Sequence, residues 1–412
     1  MAQSIPFTHD PLVLEHCTDL SQRYQLVVAG ATQDPLWDQF VAATPSGEHP
    51  QASFWVGQYQ LQGYQIVRVV LYQVQARGAV IVGGVQLALR PLGWGQYAAF
   101  AEQGPLLAND DPAAAQVVLA ALARLARRLR LAYLVLMPPR DHPQLVRVLV
   151  AHGYRPSWIG DAYVAAQRID LRQPEAVLLK QMRRTTRQSM RQGQRKGTTV
   201  RPGSTADLPL FYALHCHTSQ RQLFPPLPYA FFERMWATLH PCGQLFLFVA
   251  QVGEQPLAAV LVLRHGDTAR LLYAGWNGQL PKQYPNEVLY WHVIQWAQQH
   301  GLHWCDLEWV DRRAAHAYTA GQLHAAAQLH PPTFFKLSLG GQVVAHAGGY
   351  ERVYLPVVGA IHRWLVPRVL NPPAVRRWLQ NHARRTYRQV RVRRQMLRHW
   401  LSQWRGTHGH DG

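Results

Sequence analysis

Two stretches of the chain repeat the same order of apolar segments. The first reads VRVVLYQVQARGAVIVGGVQLALRP and QYAAFAEQGPLL, followed by an Ala/Leu-rich segment over 112–130 and the apolar run AYLVLM. The second reads LFLFVAQVGEQPLAAVLVLRHGDTARLLYAGWN, followed by PNEVLYWHVIQWAQQHG and HWCDLEWV. Short apolar runs separated by glycine-containing turns predict a β-meander, and the longer segments have helical periodicity. The simplest interpretation is a duplicated α/β protein in which each copy has a mixed sheet.

The predicted domain limits follow from this repeat. A chain of 412 residues is too long for one ordinary core. The stretch RIDLRQPEAVLLK resembles the end of a strand followed by the start of a helix. We therefore predict a first domain over 1–172 and a second over 173–345 that opens with a helix over about 175–197. The remaining 346–412 form a C-terminal segment, partly packed on the first domain, with a helical Arg/Trp-rich tail from about residue 371.

The helix predicted after residue 175 has one basic face. Its cations recur every three or four residues, at Lys180, Arg184, Arg187, Arg191 and Arg195. The opposite face carries Leu178, Leu179, Met182, Thr186 and Met190. This pattern predicts a helix that packs on one side and presents phosphate-binding groups on the other. The alternative is a basic face that is merely solvated.

Charge is concentrated in two segments. The formal net charge is +19, and 176–206 holds eight Lys/Arg without any Asp/Glu, while 371–410 holds ten. Such segments indicate phosphate-bearing partners, such as RNA, nucleotides or anionic lipid head groups. The tail adds Trp378, Trp400 and Trp404, which suit either a membrane surface or packing on the first domain.

The cysteines and the N-terminal sequence bear on localisation. The four cysteines are widely spaced, without a CxxC pair, which is typical of a reducing cytosol and predicts neither a disulfide framework nor a metal site. No run of about 18 uncharged apolar residues occurs, and the N-terminus lacks the pattern of a signal peptide. We expect a cytoplasmic protein without a transmembrane segment. Peripheral contact with the inner face of the cytoplasmic membrane is a further hypothesis.

Candidate catalytic groups lie late in the second copy. Lys336, one of four lysines, stands in the otherwise uncharged run PPTFFKLSLGG. A partly desolvated ammonium suits the stabilisation of a developing oxyanion, whereas the alternative is a surface lysine with a buried stem. Asp306 and Glu308 alternate along a predicted strand and should share one side of it. They are candidates for a site, although a structural role for Asp306 is equally open.

The stretch RPLGWG over 90–95 matches R-x-x-G-x-G, the pattern with which acetyltransferases of the GNAT type hold the pyrophosphate of coenzyme A. In that role the glycines should open a helix whose N–H groups face phosphate. Here a strand-like segment, QYAAFA, follows. We therefore predict a hairpin turn at this position.

These segments, taken in order, resemble the Fem family (FemA, FemB and FemX), the aminoacyltransferases that build peptidoglycan interpeptide bridges. The resemblance spans about residues 30–365. It rests on DPLWDQFV, QASFWVGQ, EQGPLL, the basic helix, LLYAGWN, HWCDLEWV and the late Phe335-Lys336 pair. It implies an α/β fold of two tandem GNAT-like domains with mixed sheets and a cleft between them.

The resemblance also implies a function in cell-wall biogenesis. The donor would be aminoacyl-tRNA, a cosubstrate that needs no further cofactor, and the acceptor a lipid-linked or UDP-linked peptidoglycan precursor. Lys336 would be catalytic, and the basic helix would bind tRNA phosphates. The residues implied in substrate binding are Phe335, Tyr273, Asn277, Asp306, Glu308, Trp55 and Phe231.

The chain departs from the family pattern at several acceptor-site positions. Family members commonly read Asp-Leu-Gly-Gly where this chain has Asp306-Leu307-Glu308-Trp309. A family arginine aligns with Leu227, and a family acidic residue aligns near Pro138. These departures predict a changed acceptor pocket. Two alternatives stay open, a coenzyme A-dependent N-acyltransferase on the same fold and a non-catalytic RNA- or membrane-binding protein.

Overall fold

The structure is a computed structural model that describes residues 12–16, 24–45, 47–76, 78–109, 111–140, 142–157, 165–222 and 224–355. The predicted Arg/Trp-rich tail lies outside these residues. Within the described ranges, no helix combines the length and the apolar character needed to cross a bilayer.

The elements alternate between strands and helices in each half of the chain. The first half contains β1 (Leu12–His16), β2 (Tyr24–Ala29), α1 (Pro35–Ala43), α2 (Val56–Leu61), β3 (Gln65–Gln75), β4 (Gly78–Gly93), β5 (Gln96–Ala101), β6 (Leu106–Leu107), α3 (Pro112–Arg128), β7 (Leu131–Leu136), α4 (Pro143–Ala151) and β8 (Arg155–Ser157). The second half begins with β9 (Ala165–Asp170), α5 (Glu175–Gln181), α6 (Arg184–Arg195), β10 (Thr198–Pro202), α7 (Leu208–Gln222), α8 (Tyr229–Leu239), β11 (Leu245–Val252), β12 (Gln255–His265) and β13 (Thr268–Trp276). It continues with α9 (Pro285–Gln299), β14 (Trp304–Trp309), α10 (Arg312–Thr319), α11 (Leu323–Leu329), α12 (Pro331–Ser338), β15 (Gln342–Ala345) and β16 (Gly349–Val353).

The strands form two mixed sheets with the same central topology. Their orders are β1-β2-β3-β4-β5-β7-β16-β8, with β6 beside β4, and β10-β11-β12-β13-β14-β9-β15. In each sheet three antiparallel strands lead to a helix and then to a strand that pairs in parallel with the third, as β5 does with β7 and β13 with β14. The duplicated α/β architecture predicted from the repeat is confirmed.

Two strands cross the predicted domain limits. β9 belongs to the stretch assigned to the first domain, but it pairs with β14 and β15 of the second sheet. β16 belongs to the C-terminal segment and pairs with β7 and β8 of the first sheet. β9 is therefore the first strand of the second half, and β16, which follows β15 of the second sheet, ties the two halves together through its backbone hydrogen bonds with β7 and β8.

Apolar faces of the helices generate the cores. α9 buries Leu289, Val293 and Ala297 against the second sheet, as its periodicity predicts, and α3 buries Val118 and Leu122 against the first. A third cluster joins the halves, since Trp55, Tyr59 and Ile66 of the first pack with Phe211, Phe232 and Leu261 of the second. Burial of this apolar surface fixes the halves relative to each other.

The predicted basic helix is two helices rather than one. α5 ends before Met182, whose extended backbone (ψ 142°) separates it from α6. Arg187 donates from Nη1 to the carbonyl oxygen of Leu179 (2.5 Å), which satisfies the end of α5. Lys180 consequently lies on α5, apart from the arginines of α6. On the opposite side, Thr186 and Met190 are buried as predicted.

The stretch over 90–95 forms the predicted hairpin turn. β4 ends at Gly93, which pairs with Gln96 at the start of β5. Trp94 at the tip is 95% exposed. The glycines of this stretch therefore do not precede a helix N-terminus.

Gly341 gives a test of the junction between α12 and β15. Its φ is +84°, and an added Cβ would overlap the carbonyl oxygen of Arg168 on β9. We expect Gly341→Ala to lower the free energy of unfolding by about 2–4 kcal/mol, because steric overlap adds to backbone strain. Gly321→Ala is the matched control, since its φ is +75° with nothing within 4 Å, and it should lower the free energy by about 1 kcal/mol. Equal losses in urea unfolding would contradict the close approach.

Candidate active site

A cavity of about 120 Å³ lies between the two sheets. In the first half, its wall comes from a turn before α2 and from the segments that follow β5 and β7. Because these two strands are parallel neighbours, the segments after them meet at one edge of the sheet. In the second half, the wall comes from β9, β13 and β14. The polar lining residues include Glu48, Glu102, Gln103, Arg270, Asp306 and Glu308.

Glu48 is positioned by buried amide groups. It precedes a short 3-10 turn, His49–Gln51, and Gln51 is fully buried. The Gln51 side chain accepts the backbone N–H of Gln86 (2.8 Å) and donates to the carbonyl oxygen of Glu102 (2.6 Å). These hydrogen bonds fix the turn to β4 and to the segment after β5, so that the Glu48 carboxylate points between the halves.

Glu48 belongs to a buried network of charges that spans both halves. Its carboxylate accepts hydrogen bonds from Arg140 of the first half and from Arg270 of β13. Arg270 also donates to Asp306 Oδ2 at 3.0 Å. Two further guanidinium nitrogens approach the same Oδ2, Nε of Arg168 at 3.5 Å and Nη1 of Arg140 at 3.7 Å. Although burial opposes ionisation, Arg270, Arg140 and Arg168 hold the pKa of Asp306 below its usual value.

Glu308 extends this network into the cavity. Its φ is +66°, a left-handed conformation at the bulge between Asp306 and Trp309. Its N–H donates to Asp306 Oδ1 (2.8 Å), and its Oε1 lies 3.4 Å from Arg270 Nη1. Burial and the Asp306 carboxylate raise the pKa of Glu308 to about 7, although Arg270 and Lys336 oppose the shift. The contacts with Arg270 confirm that Asp306 and Glu308 share one side of the strand.

Lys336 reaches the same strand end from α12. This helix begins with Pro331 and Pro332, and its N-terminus is capped by His330, whose Nδ1 accepts the N–H of Thr333 (3.2 Å). Lys336 is half-buried, and its Nζ donates to the carbonyl oxygen of Trp309 at 3.0 Å. Burial lowers the pKa of Lys336 to about 8, and the carboxylates of Glu308 and Asp306 counteract part of that effect. The predicted partly desolvated ammonium is therefore present, while its catalytic role stays a prediction.

Neighbouring histidines do not add charge to this network. The pKa of His346 and that of His265 are both lowered to about 4, chiefly by burial, with a smaller contribution from Arg140 and Arg270 for His346 and from Arg270 for His265. His49 is buried against Trp55 and has a pKa well below its usual value, because burial and Arg270 disfavour its charged form. Among the described residues, no group of three or more His, Cys, Asp or Glu side chains could hold a metal ion. The ionic character of the cavity therefore comes from arginine, lysine and carboxylates.

The other predicted substrate-binding residues are not among those that line this cavity. Trp55, Phe231 and Tyr273 belong to the apolar cluster between the halves. Phe335 packs edge-on against the ring of Tyr290, with centroids 5.0 Å apart. Asn277 Oδ1 accepts the backbone N–H of Gln279 (2.9 Å) and so shapes the turn after β13. The structure brings together Asp306, Glu308 and Lys336, and it gives the others contacts typical of packing.

Sequence reasoning missed Glu48, Arg140, Arg168 and Arg270. The hydrogen bond between Arg270 and Glu48 joins residues 222 positions apart, a pairing that no local pattern reveals. One signal was available, since Arg270 interrupts the largely apolar strand β13. A charge in such a position needs a partner, because an unpaired buried charge is strongly unfavourable.

Replacement of Arg270 tests the importance of the network. Arg270→Met leaves Glu48 and Asp306 short of a partner, so we expect a loss of about 3–5 kcal/mol in the free energy of unfolding. The control is Arg201→Met, which removes an ion pair between Asp207 and a side chain that is 40% exposed. That change should cost no more than about 1 kcal/mol. Similar urea midpoints for the two variants would show that the buried network is dispensable for stability.

Comparisons with known proteins agree with this architecture. Residues 180–318 match the family model described as an acetyltransferase (GNAT) domain. The crystal structure of FemX is similar with a TM-score of 0.67 and 16% identity, over 79% of this chain and 97% of FemX. A conserved protein of unknown function from Bacteroides thetaiotaomicron matches with a TM-score of 0.50 and 11% identity, over 79% of this chain and 99% of its own. No curated protein sequence matches the chain. The chain therefore has the fold of FemX, and residues 180–318 of its second half are similar to the GNAT acetyltransferase domain.

Proposed function

We propose that this protein is a Fem-type aminoacyltransferase that transfers an amino acid from aminoacyl-tRNA to an amine of a peptidoglycan-precursor stem peptide. The observation that carries the proposal is the half-buried residue Lys336, whose ammonium donates to the carbonyl oxygen of Trp309, a residue that lines the cavity of this FemX-like fold. The donor ester is already activated, so the reaction needs positioning and stabilisation of the oxyanion more than a strong base. In this reaction Lys336 stabilises the tetrahedral oxyanion.

The basic surface of α6 supports a tRNA donor. Arg184, Arg191 and Arg195 are exposed, whereas Arg187 is partly engaged in holding the end of α5. The start of α6 meets the end of α12, since the backbone N–H of Arg183 donates to the carbonyl oxygen of Ser338 (2.9 Å). A phosphate bound at the first turn of α6 would therefore lie near the end of the helix that carries Lys336. Peripheral association with the cytoplasmic face of the membrane would bring a lipid-linked acceptor to this cavity.

A coenzyme A-dependent N-acyltransferase is the second candidate, favoured by the GNAT match over 180–318. Two features weigh against it. The glycines at 93 and 95 lie at a hairpin turn, and residues 277–284, which lead into α9, contain Gly278 but no second glycine. α9 also begins with Pro285, which has no N–H to offer a phosphate. These features favour aminoacyl-tRNA as the donor.

Transfer from mixed aminoacyl-tRNAs to lipid-linked or UDP-linked precursor, followed by mass spectrometry, tests the proposal. We expect the acceptor to gain one amino-acid mass, and ribonuclease to abolish the gain. Lys336→Ala should lower kcat by about 10²–10³, because an oxyanion-stabilising group is lost. Lys282→Ala, at an exposed lysine, is the matched control and should stay within about twofold of the parent.

Three results would contradict the proposal. Unchanged transfer by Lys336→Ala would remove the catalytic assignment. Saturable acetyl-CoA binding that depends on Gly93 and Gly95, with no transfer from tRNA, would favour the second candidate. Binding of RNA or liposomes without any turnover would favour a non-catalytic binding protein.

Salt dependence tests the phosphate-binding role of α6. The logarithm of the tRNA association constant falls as the logarithm of salt concentration rises, and each lost phosphate contact should make this slope shallower by about 0.7–0.9. We therefore expect Arg184→Gln, Arg191→Gln and Arg195→Gln each to flatten the slope of tRNA binding, measured by filter binding over a salt series. Arg264→Gln, at an exposed arginine on β12, is the control and should leave the slope unchanged. Parallel slopes for all variants would argue for a merely solvated face.

A further inference from the structure

Among the carboxylates of the buried network, Glu308 has the most accessible side chain. The side chains of Glu48 and Asp306 are 6% and 1% exposed, and arginines surround both. The Glu308 side chain is 25% exposed and lines the cavity. A reacting group that enters the cavity can therefore reach Glu308, whereas the other two carboxylates serve to hold the arginines.

The backbone at Glu308 has a strained, left-handed conformation, and its side chain lines the cavity. A residue with a Cβ is disfavoured at φ +66°, and glycine would adopt the same backbone without strain. The chain nevertheless has glutamate there, with its N–H held by Asp306 Oδ1 and its carboxylate beside Arg270. Strain retained at a cavity wall suggests that the carboxylate itself is used.

We propose that Glu308 is the proton acceptor of the transfer reaction, an inference that rests on the proposed function. The acceptor amine attacks the ester carbonyl carbon, and a C–N bond forms. The Glu308 carboxylate takes the proton that the attacking nitrogen loses. The tetrahedral intermediate then collapses, the bond to the ribose oxygen breaks, and Glu308 returns the proton to that oxygen. The products are an amide and a free tRNA hydroxyl, and no net proton is gained or lost.

The position of Lys336 agrees with a site in which Lys336 stabilises the oxyanion and Glu308 transfers the proton. Its ammonium binds the carbonyl oxygen of Trp309, the residue next to Glu308, so the cation and the carboxylate meet at one strand end. Oxyanion stabilisation and proton transfer act on atoms of the same tetrahedral centre, so both groups must lie close to it. Glu102 also lines the cavity, from the first half, and burial raises its pKa to about 6. It is the rival proton acceptor that the experiment must separate.

Burial and the charges around Glu308 together set a narrow pH window. Arg270 of β13 and Lys336 of α12 favour its ionised form, whereas Asp306 and Glu48 disfavour it. Below a pH of about 7, Glu308 is protonated and cannot accept a proton. Above a pH of about 8, Lys336 loses the charge that stabilises the oxyanion. The two groups interact, so their combined titration should give a bell-shaped pH profile of kcat/KM with its maximum between these values.

The test compares pH profiles of Glu308→Gln, Glu308→Gly and Glu102→Gln, with Glu254→Gln at an exposed turn as the matched control. Glu308→Gln should lower kcat by about 10²–10³ and change KM by less than about threefold. It should also remove the acidic limb of the profile, which is the fall in kcat/KM at low pH, and leave the fall at high pH unchanged. Formate should restore part of the rate in Glu308→Gly but none in Lys336→Ala. Loss of the acidic limb in Glu102→Gln, with the limb intact in Glu308→Gln, would overturn the proposal.

If Glu308 had only a structural role, Glu308→Gly would lower the unfolding temperature, and the lost stability would account for the lost activity. Glycine relieves the left-handed strain, so the proposal expects Glu308→Gly to unfold at or above the parent temperature while its activity falls. A lowered unfolding temperature that accounts for the lost activity, without rescue by formate, would overturn the proposal.

The choice of donor separates this inference from the proposed function. If wild-type protein transfers an acyl group from acyl-CoA but not from charged tRNA, the proposed function fails. The same variants then test Glu308 with the thioester, whose leaving sulfur takes the proton instead. Absence of transfer from either donor would overturn both.

Discussion

The contact on which the rest of the structure depends is the bridge from Glu48 through Arg270 to Asp306. It joins a turn of the first half to two neighbouring strands of the second, and all three side chains are almost completely buried. Charges removed from water are tolerated only when they are paired and hydrogen-bonded. The two halves must therefore meet in one arrangement, because displacement of either would leave an unpaired charge in the interior.

Other features support that arrangement. β9 and β16 each complete the sheet on the far side of the predicted limits, and an apolar cluster lies between the halves. Because both halves are fixed relative to each other, the polar groups that line the cavity between them are already oriented before a substrate binds. Such preorganised polar groups stabilise developing charge efficiently. Glu308 can hold its left-handed conformation at the cavity wall because its neighbours, Asp306 and Arg270, fix it there.

The predictions from the sequence succeeded where the pattern was local. The repeat predicted the two mixed sheets, helical periodicity predicted α9, and the strand-like segment after Gly95 predicted the hairpin turn. They failed for the basic helix, which breaks at Met182, where the backbone is extended and Arg187 donates to the carbonyl oxygen of Leu179 at the end of α5. They also could not anticipate that β9, assigned to the first domain, pairs within the second sheet, since strand pairing depends on distant partners.

For the site, the sequence by itself determined which groups could act, namely the isolated Lys336 and the alternating carboxylates Asp306 and Glu308. Only the tertiary structure decided their environment. It showed that Arg140, Arg168 and Arg270 surround Asp306, that Lys336 and Glu308 meet at Trp309, and that Trp55, Phe231 and Phe335 pack in apolar contacts instead. The physical reason is that a side chain's type and spacing are local properties, whereas its desolvation and charge partners arise from residues far apart in the chain.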